Sequence, residues 1–447
     1  MEISSNLLDL LTSRPYIISG DALKNRFFKV LASIALAAGI YLHPLKNSEG
    51  NINSISQQPS ISQQENPEEL YLAFAFEGKD SAEVFRIANI EIVTDYNNLE
   101  ASVVNATKEK LDELVNSGDL EFYVRRNGSL ENVRTSPSYI RVIEDDTEKP
   151  TTLSNELAHN RVRATALRRN NVTGQGIKIG IFDTGIDSAV PEFSGMVAGF
   201  HDHVYNHGDT IEQAYDDYGH GTFVASIIQR ILPECKFYVY KIHQQSGENN
   251  ISDVFEAFDV AYSDHLDVIN NSWGLDYPTE LDGMTFEDAN KALEEVIERI
   301  SATGTIVVAS AGNDSSITLK SLQHLPDGSP FAISVGATNI LDEVADFSDL
   351  DGEIFAPGET VYGTRRNNIH TFWDGTSFSG PFVAGAVGAA IEYSREHNRE
   401  YSFESIKNAL IKSGERQSSI IVTPNRRFTY RFKFLNLNRL LEYIRRH

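Results

Sequence analysis

The sequence predicts an α/β protein: a mostly parallel sheet covered by helices on both faces, preceded by a smaller α/β domain. Three observations carry this. Five apolar runs, IKIGIF (177–182), KFYVYKI (236–242), LDVINNS (266–272), TIVVAS (305–310) and FAISVGA (331–337), have the length and β-branched content of buried strands. Helical stretches fall between or after them, following His220, Ser252, Thr285 and Ser377, with Ser252 and Thr285 expected as N-caps. Nearer the N-terminus, LYLAFAFEG, IEIVTDY and LEASVV alternate with a helical run that Thr107 caps and whose apolar face is Leu111, Leu114 and Val115.

These elements divide the 447 residues into five parts: a leader (1–45), a linker (46–69), the small α/β domain (70–143), a second linker (144–154) and the large α/β domain (155–447). The first linker is rich in Ser, Gln and Asn; the second, around EDDTEKPTT, is charged and contains proline. Within the leader, FFKVLASIALAAGIYL (27–42) is apolar and preceded by basic residues, which reads as an export signal or membrane tether, with a packed or surface-bound helix and a cytoplasmic protein as the alternative. The 39 basic and 63 acidic residues leave a formal charge of −24, which excludes nucleic acid as a partner. Cys235 is the only cysteine, so no intrachain disulfide forms.

In a parallel sheet, ligands bind beyond the carboxyl ends of the strands, and four polar blocks fall there. IFDTGID puts Asp183 at the exit of the first strand, and YGHGTFVAS puts His220 at a helix start between two glycines. SAGND puts Asn313 after TIVVAS, and DGTSFSGP puts Ser377 at another helix start. Acyl transfer needs a nucleophile, a base, an acid to orient the base and donors for the oxyanion. Ser377, His220, Asp183 and Asn313 supply one of each, with the Ser377 N–H as a second donor. Pro381, four residues beyond Ser377, lacks the N–H that would bond the Ser377 carbonyl, so that carbonyl is expected to be unpaired and its geometry loose.

The blocks D-T-G-I-D, G-H-G-T-x-V-A, N-x-S-W-G, S-A-G-N-D and G-T-S-x-S-x-P, in this order, resemble the subtilisin-like serine proteases (subtilases, peptidase family S8) over residues 155–447. The resemblance implies the subtilisin-like three-layer fold and a serine endopeptidase whose polypeptide substrate pairs as a strand with Ser272, Trp273 and Gly274. It also implies that Ser310, Ala311 and Gly312 line the first pocket. The small domain resembles the ferredoxin-like inhibitory propeptides of the family, which implies an autoinhibited precursor. Ser379-Gly380 replaces the more usual Ala-Ser before the proline. No cofactor is required for the chemistry, no metal ligands are assigned, and no stretch matches the family's calcium loops, so structural calcium stays open. The alternative is a non-catalytic subtilase-fold regulatory or binding protein.

Three further stretches carry weaker signals. His201, His203 and His207 in HDHVYNH are ligand types, weighed against a solvated loop. Asp276, Glu280 and Asp282 would favour basic substrates and make Arg168-Arg169 a self-processing site, weighed against a solvated acidic face. The basic C-terminus NRRFTYRFKFLNLNRLLEYIRRH puts Leu437, Leu440, Leu441 and Ile444 on one face of a closing helix, with binding to an anionic surface as the alternative.

Overall fold

The computed structural model describes residues 69–75, 79–96, 101–117, 119–126, 134–137, 141–142, 156–205, 207, 209–244, 249–275, 286–315, 329–423 and 426–447. The leader with its apolar run, both linkers apart from Glu69, and the acidic Asp276, Glu280 and Asp282 lie outside them. Among the described residues no helix is long and apolar enough to cross a membrane.

The small unit runs β1 (Glu69–Ala75), α1 (Ser81–Ile87), β2 (Glu91–Tyr96), β3 (Ala101–Ala106), α2 (Lys108–Ser117) and β4 (Leu120–Arg126). Its four strands are antiparallel in the order β2-β3-β1-β4, the ferredoxin-like arrangement. Asp80 caps α1, accepting from the Glu83 N–H at 3.2 Å, and Thr107 Oγ1 caps α2 from the Lys110 N–H at 3.4 Å. One face buries Tyr71, Ala73, Phe85, Val104, Leu111 and Leu120. Ala101 and Val103, on the opposite face of β3, join a core of the large unit, so the sheet is covered on both sides. Two short strands follow, β5 (Arg134–Pro137) and β6 (Arg141–Val142).

The large unit begins with α3 (Leu157–Arg161) and α4 (Thr165–Arg169), then β7 (Lys178–Asp183), β8 (Val197–Asp202), α5 (His220–Ile231), β9 (Lys236–Lys241), β10 (Asn249–Asn250) and α6 (Ile251–Asp264). It continues through β11 (Val268–Asn271), β12 (Trp273–Leu275), α7 (Phe286–Ala302), β13 (Ile306–Ser310), β14 (Ala332–Thr338) and β15 (Ile354–Pro357). The last elements are β16 (Val361–Arg365), β17 (Ile369–Asp374), α8 (Thr376–Glu396), α9 (Phe403–Ser413), β18 (Glu415–Thr423), β19 (Arg426–Phe434) and α10 (Leu437–Arg446). Nine strands form one sheet, β18-β19-β15-β14-β13-β11-β7-β9-β8, parallel except for the β18–β19 hairpin. Alternate side chains feed two cores: Ile179 and Ile181 point to the layer of α5 and α8, Phe182 and Ile269 to that of α6 and α7.

All five predicted strands are present. Ser252 is not a cap, because α6 already starts at Ile251, and Thr285 lies outside the described residues. The two cleft-side strands β5 and β6 and the hairpins β16–β17 and β18–β19 went unpredicted, since they are short or carry polar and basic residues around apolar runs of at most three. Arg168 and Arg169 end α4, whose Ala166 and Leu167 are buried. A cut there would open the core, which argues against the self-processing reading. The histidine stretch is not a simple solvated loop: His201 lies in the edge strand β8 and His203 in the turn that follows it, with rings 5.2 and 6.3 Å from Tyr240. Each leans toward a different carboxylate, Asp264 and Glu256. Among the described residues no group of three or more His, Cys, Asp or Glu could hold a metal ion. In α10, Leu437, Leu440, Leu441 and Ile444 are all buried, as a closing helix requires.

Candidate active site

Asp183 ends β7 and His220 begins α5, and the two side chains meet with Nδ1 2.7 Å from Oδ1 in a site that leaves them 0–1 % exposed. This contact is close because of glycine. A Cβ on Gly221 would stand 2.2 Å from the Gly185 carbonyl and 3.1 Å from Asp183 Cβ, while Gly219 takes φ +104° to turn the chain into the helix. The Thr184 N–H also donates to Asp183 Oδ1 at 2.7 Å. His220 Nε2 is buried without a hydrogen-bond partner. Burial raises the pKa of the neighbouring Tyr218 phenol; Arg365 opposes the shift and Asp183 adds to it.

Two buried charges behind this pair went unnoticed in the sequence. Asp216 Oδ1 accepts from Thr184 Oγ1 at 2.9 Å, from the Gly219 N–H at 2.6 Å and from the Tyr218 N–H at 3.1 Å. Its Oδ2 accepts from the Thr222 N–H at 2.9 Å and from Thr222 Oγ1 at 2.6 Å. One carboxylate thus ties the loop after Asp183 to the first turn of the His220 helix. Lys241, fully buried, gives its three ammonium protons to Thr184 O, His243 O and Asp217 Oδ1, each at 2.7 Å. Signals existed for both: an acid four residues before a helix-starting histidine, and a lysine inside an otherwise apolar strand.

Ser377 is the second residue of α8. Its carbonyl, which Pro381 leaves without a helical donor, is not loose: Ser272 Oγ donates to it at 2.8 Å, and Asn270 Nδ2 donates to Ser272 Oγ at 2.9 Å. The expected orphan is satisfied from the end of β11, a partner that local sequence cannot reveal. Ser377 Oγ in turn donates to the Ser272 carbonyl at 3.1 Å rather than to His220. The preceding carbonyl, that of Thr376, accepts from Ser310 Oγ at 3.0 Å and Ser379 Oγ at 2.8 Å. Gly380 suits this arrangement, since a Cβ there would come within 3.1 Å of Ser310 Oγ. Asn313 Oδ1 accepts from the Thr376 N–H at 2.9 Å and its hydroxyl at 2.8 Å, which turns Nδ2 toward Gly375.

Trp273 and Ser272 are buried, as are Ser310 and Ala311, and Gly312 donates its N–H to Thr376 Oγ1 at 3.3 Å. Beside them the chain's own β5 pairs antiparallel with β12, Ser136 opposite Gly274 and Pro137 opposite Trp273, and its other edge pairs with β10. β6 pairs antiparallel with β17, Arg141 opposite Asp374. Asp183, His220, Ser272, Ser377 and Asn313 therefore gather at the carboxyl ends of β7, β11 and β13, with β5 alongside.

The family model described as the subtilase family (Peptidase_S8) matches residues 174–430. The chain is a subtilase. Subtilisin NAT of Bacillus subtilis subsp. natto is 29% identical over 270 residues, 58% of this chain and 67% of its own. The subtilisin of Bacillus pumilus is 30% identical over 238 residues, 51% of this chain and 81% of its own. The minor extracellular protease Epr of Bacillus subtilis (strain 168) is 26% identical over 333 residues, 72% of this chain and 47% of its own. This subtilase is accordingly a serine endopeptidase, a hydrolase of polypeptides, and its nine-stranded sheet with helices on both faces is the family's three-layer fold.

Proposed function

We propose that this subtilase cleaves peptide bonds through Ser377, His220 and Asp183, and that its N-terminal unit holds it inactive until processing. Ser377 Oγ attacks the scissile carbonyl while its proton passes to His220 Nε2. Asp183, accepting from Nδ1–H, keeps the tautomer in which Nε2 is the base and stabilises the imidazolium. Asn313 Nδ2 and the Ser377 N–H receive the oxyanion. Collapse expels the amine with the proton from His220, and water repeats the sequence to release the acyl group. Every group named is this chain's own, so the proposed chemistry draws on no cofactor. The observation that supports the reading is the 2.7 Å Asp183–His220 contact beside an Nε2 that bonds nothing. Ser377 would rotate from the Ser272 carbonyl to meet it when substrate binds.

The inhibitory part rests on β5 and β6. A strand between β10 and β12 takes the place an extended peptide substrate needs, by main-chain pairing. β5 ends opposite Trp273, next to the Ser272 carbonyl that holds Ser377 Oγ, and β6 begins opposite Asp374, three residues before Ser377. The bond cut in self-processing therefore lies between Pro137 and Arg141. Export is proposed from the leader's apolar run and from the relative named as extracellular.

A fluorophosphonate probe and N-terminal mass spectrometry on the expressed protein test both parts. Labelling of Ser377, absent in Ser377→Ala, together with a new N-terminus at 138–141 that Ser377→Ala fails to generate, is expected. No labelling of any processed or unprocessed form would leave a subtilase-fold binding protein instead.

A further inference from the structure

The β18–β19 hairpin has two faces fixed by its register. Glu415↔Phe434 through Thr423↔Arg426 pair directly, so cross-strand partners share a face. The inner face carries Ser419, Ile421, Phe428, Tyr430, Phe432 and Phe434 onto the main core, and the Val344 N–H donates to Ser419 Oγ at 2.7 Å. The outer face carries Arg416 opposite Lys433, Ser418 opposite Arg431, Ile420 opposite Thr429 and Val422 opposite Arg427.

That outer face contradicts the rest of the chain in charge. Residues 415–447 hold eight Lys or Arg and two Glu, in a protein of net charge −24. Arg416, Arg427, Arg431 and Lys433 pair with no carboxylate among the described residues. Lys433 feels the crowding: partial burial, then the charges of Arg416 and Arg439, lower its pKa. Amid these cations, Ile420 is 56% and Val422 71% exposed, near the free end of the hairpin. Two residues apart in one strand, Ile420 and Val422 share a face and form one apolar patch ringed by cations, which suits a partner that takes both chemistries.

We propose that this face docks on an anionic lipid surface, with Ile420 and Val422 entering the headgroup layer and Arg416, Arg427, Arg431 and Lys433 pairing with its phosphates and carboxylates. Lipid meets both requirements, apolar depth at the tip and negative charge around it. A nucleic acid would leave the aliphatic pair unused. Of β19 only Phe434 pairs with β15; beyond it the hairpin lies over the turns around Val344 and Leu350, held by Ser419 Oγ and the Tyr430 hydroxyl, with its outer face left open.

The full chain carrying Val422→Cys, labelled with an environment-sensitive fluorophore, tests this locally; Cys235 is fully buried and does not compete for the label. Titration with phosphatidylcholine vesicles containing phosphatidylserine should blue-shift the emission, whereas pure phosphatidylcholine vesicles should not. Added Arg427→Glu/Arg431→Glu should weaken the vesicle response about tenfold or more, and so should high salt. Unchanged hydrolysis of a soluble peptide shows that the variants remain folded. Emission that does not move with either vesicle, or that moves equally with both, overturns the proposal. So does a shift elicited by polyglutamate but not by anionic vesicles, which would assign the face to an acidic polypeptide.

Discussion

The two halves of the candidate site are built in opposite ways. Asp183 and His220 are held from behind by buried charge, with five donors converging on the Asp216 carboxylate and three acceptors on the Lys241 ammonium. Ser377 is held by neutral groups alone: hydroxyls of Ser272, Ser310, Thr376 and Ser379 and the amides of Asn270 and Asn313. The difference follows from what each half must do. In the proposed mechanism the histidine side becomes a cation and benefits from fixed dipoles and charge around an unmoving imidazole. The serine side, in the same proposal, rotates one hydroxyl and presents an N–H, for which weaker bonds to carbonyls suffice.

Mutations sharpen that contrast. Asn313→Leu removes the proposed oxyanion donor and the acceptor for Thr376, and should lower kcat about 10²–10³-fold with little change in KM, the scale found for donors of this kind in subtilisin-type sites. Asp216→Asn keeps the shape but puts an amide where every neighbour donates; kcat should fall about 30–100-fold and the acidic limb of the pH–rate profile should move, with KM nearly constant. A purely structural role for Asp216 would instead lower the melting temperature and leave that limb in place. Ser272→Ala leaves the Ser377 carbonyl unpaired, worth about 1–2 kcal/mol, and should cost kcat about tenfold without moving the pH profile. If Ser272→Ala proved the more damaging of the two, the charged half would not be the more demanding one.

The smallest effect concerns stability rather than rate. His159, buried against Phe382 with Nε2 3.3 Å from the Ile227 carbonyl, has its pKa pushed down to about 4, chiefly by burial. Because the folded value lies below that of the unfolded chain, the neutral ring contributes stability that is fully present above about pH 6.5 and is lost as pH falls toward 4. Denaturant unfolding should weaken across that window by on the order of 2–3 kcal/mol, and His159→Phe should flatten this part of the curve.

Much of the site could be named from short motifs because each candidate residue sits at a strand exit or helix start, where the local pattern is strong: Asp183 after IKIGIF, Asn313 after TIVVAS, His220 and Ser377 at the heads of helices. What sequence misjudged was Pro381. It shows that the Ser377 carbonyl lacks its helical donor, but Ser272, 105 residues earlier in the chain, supplies another. Asp216 and Lys241 escaped for a related reason. An acid in a polar loop and a lysine in a strand look ordinary until folding removes the water around them.

The sequence by itself therefore determined the five central strands and the helices among them, the family and the residue types available for catalysis, since these rest on periodicity and contiguous motifs. Only the tertiary structure decided that β5 lies between β10 and β12, that Asp216 bridges two loops, and that the hairpin's cations and aliphatics share one open face. Each of these depends on strand register or on burial between residues far apart in the chain, and neither quantity is written in any local stretch of it.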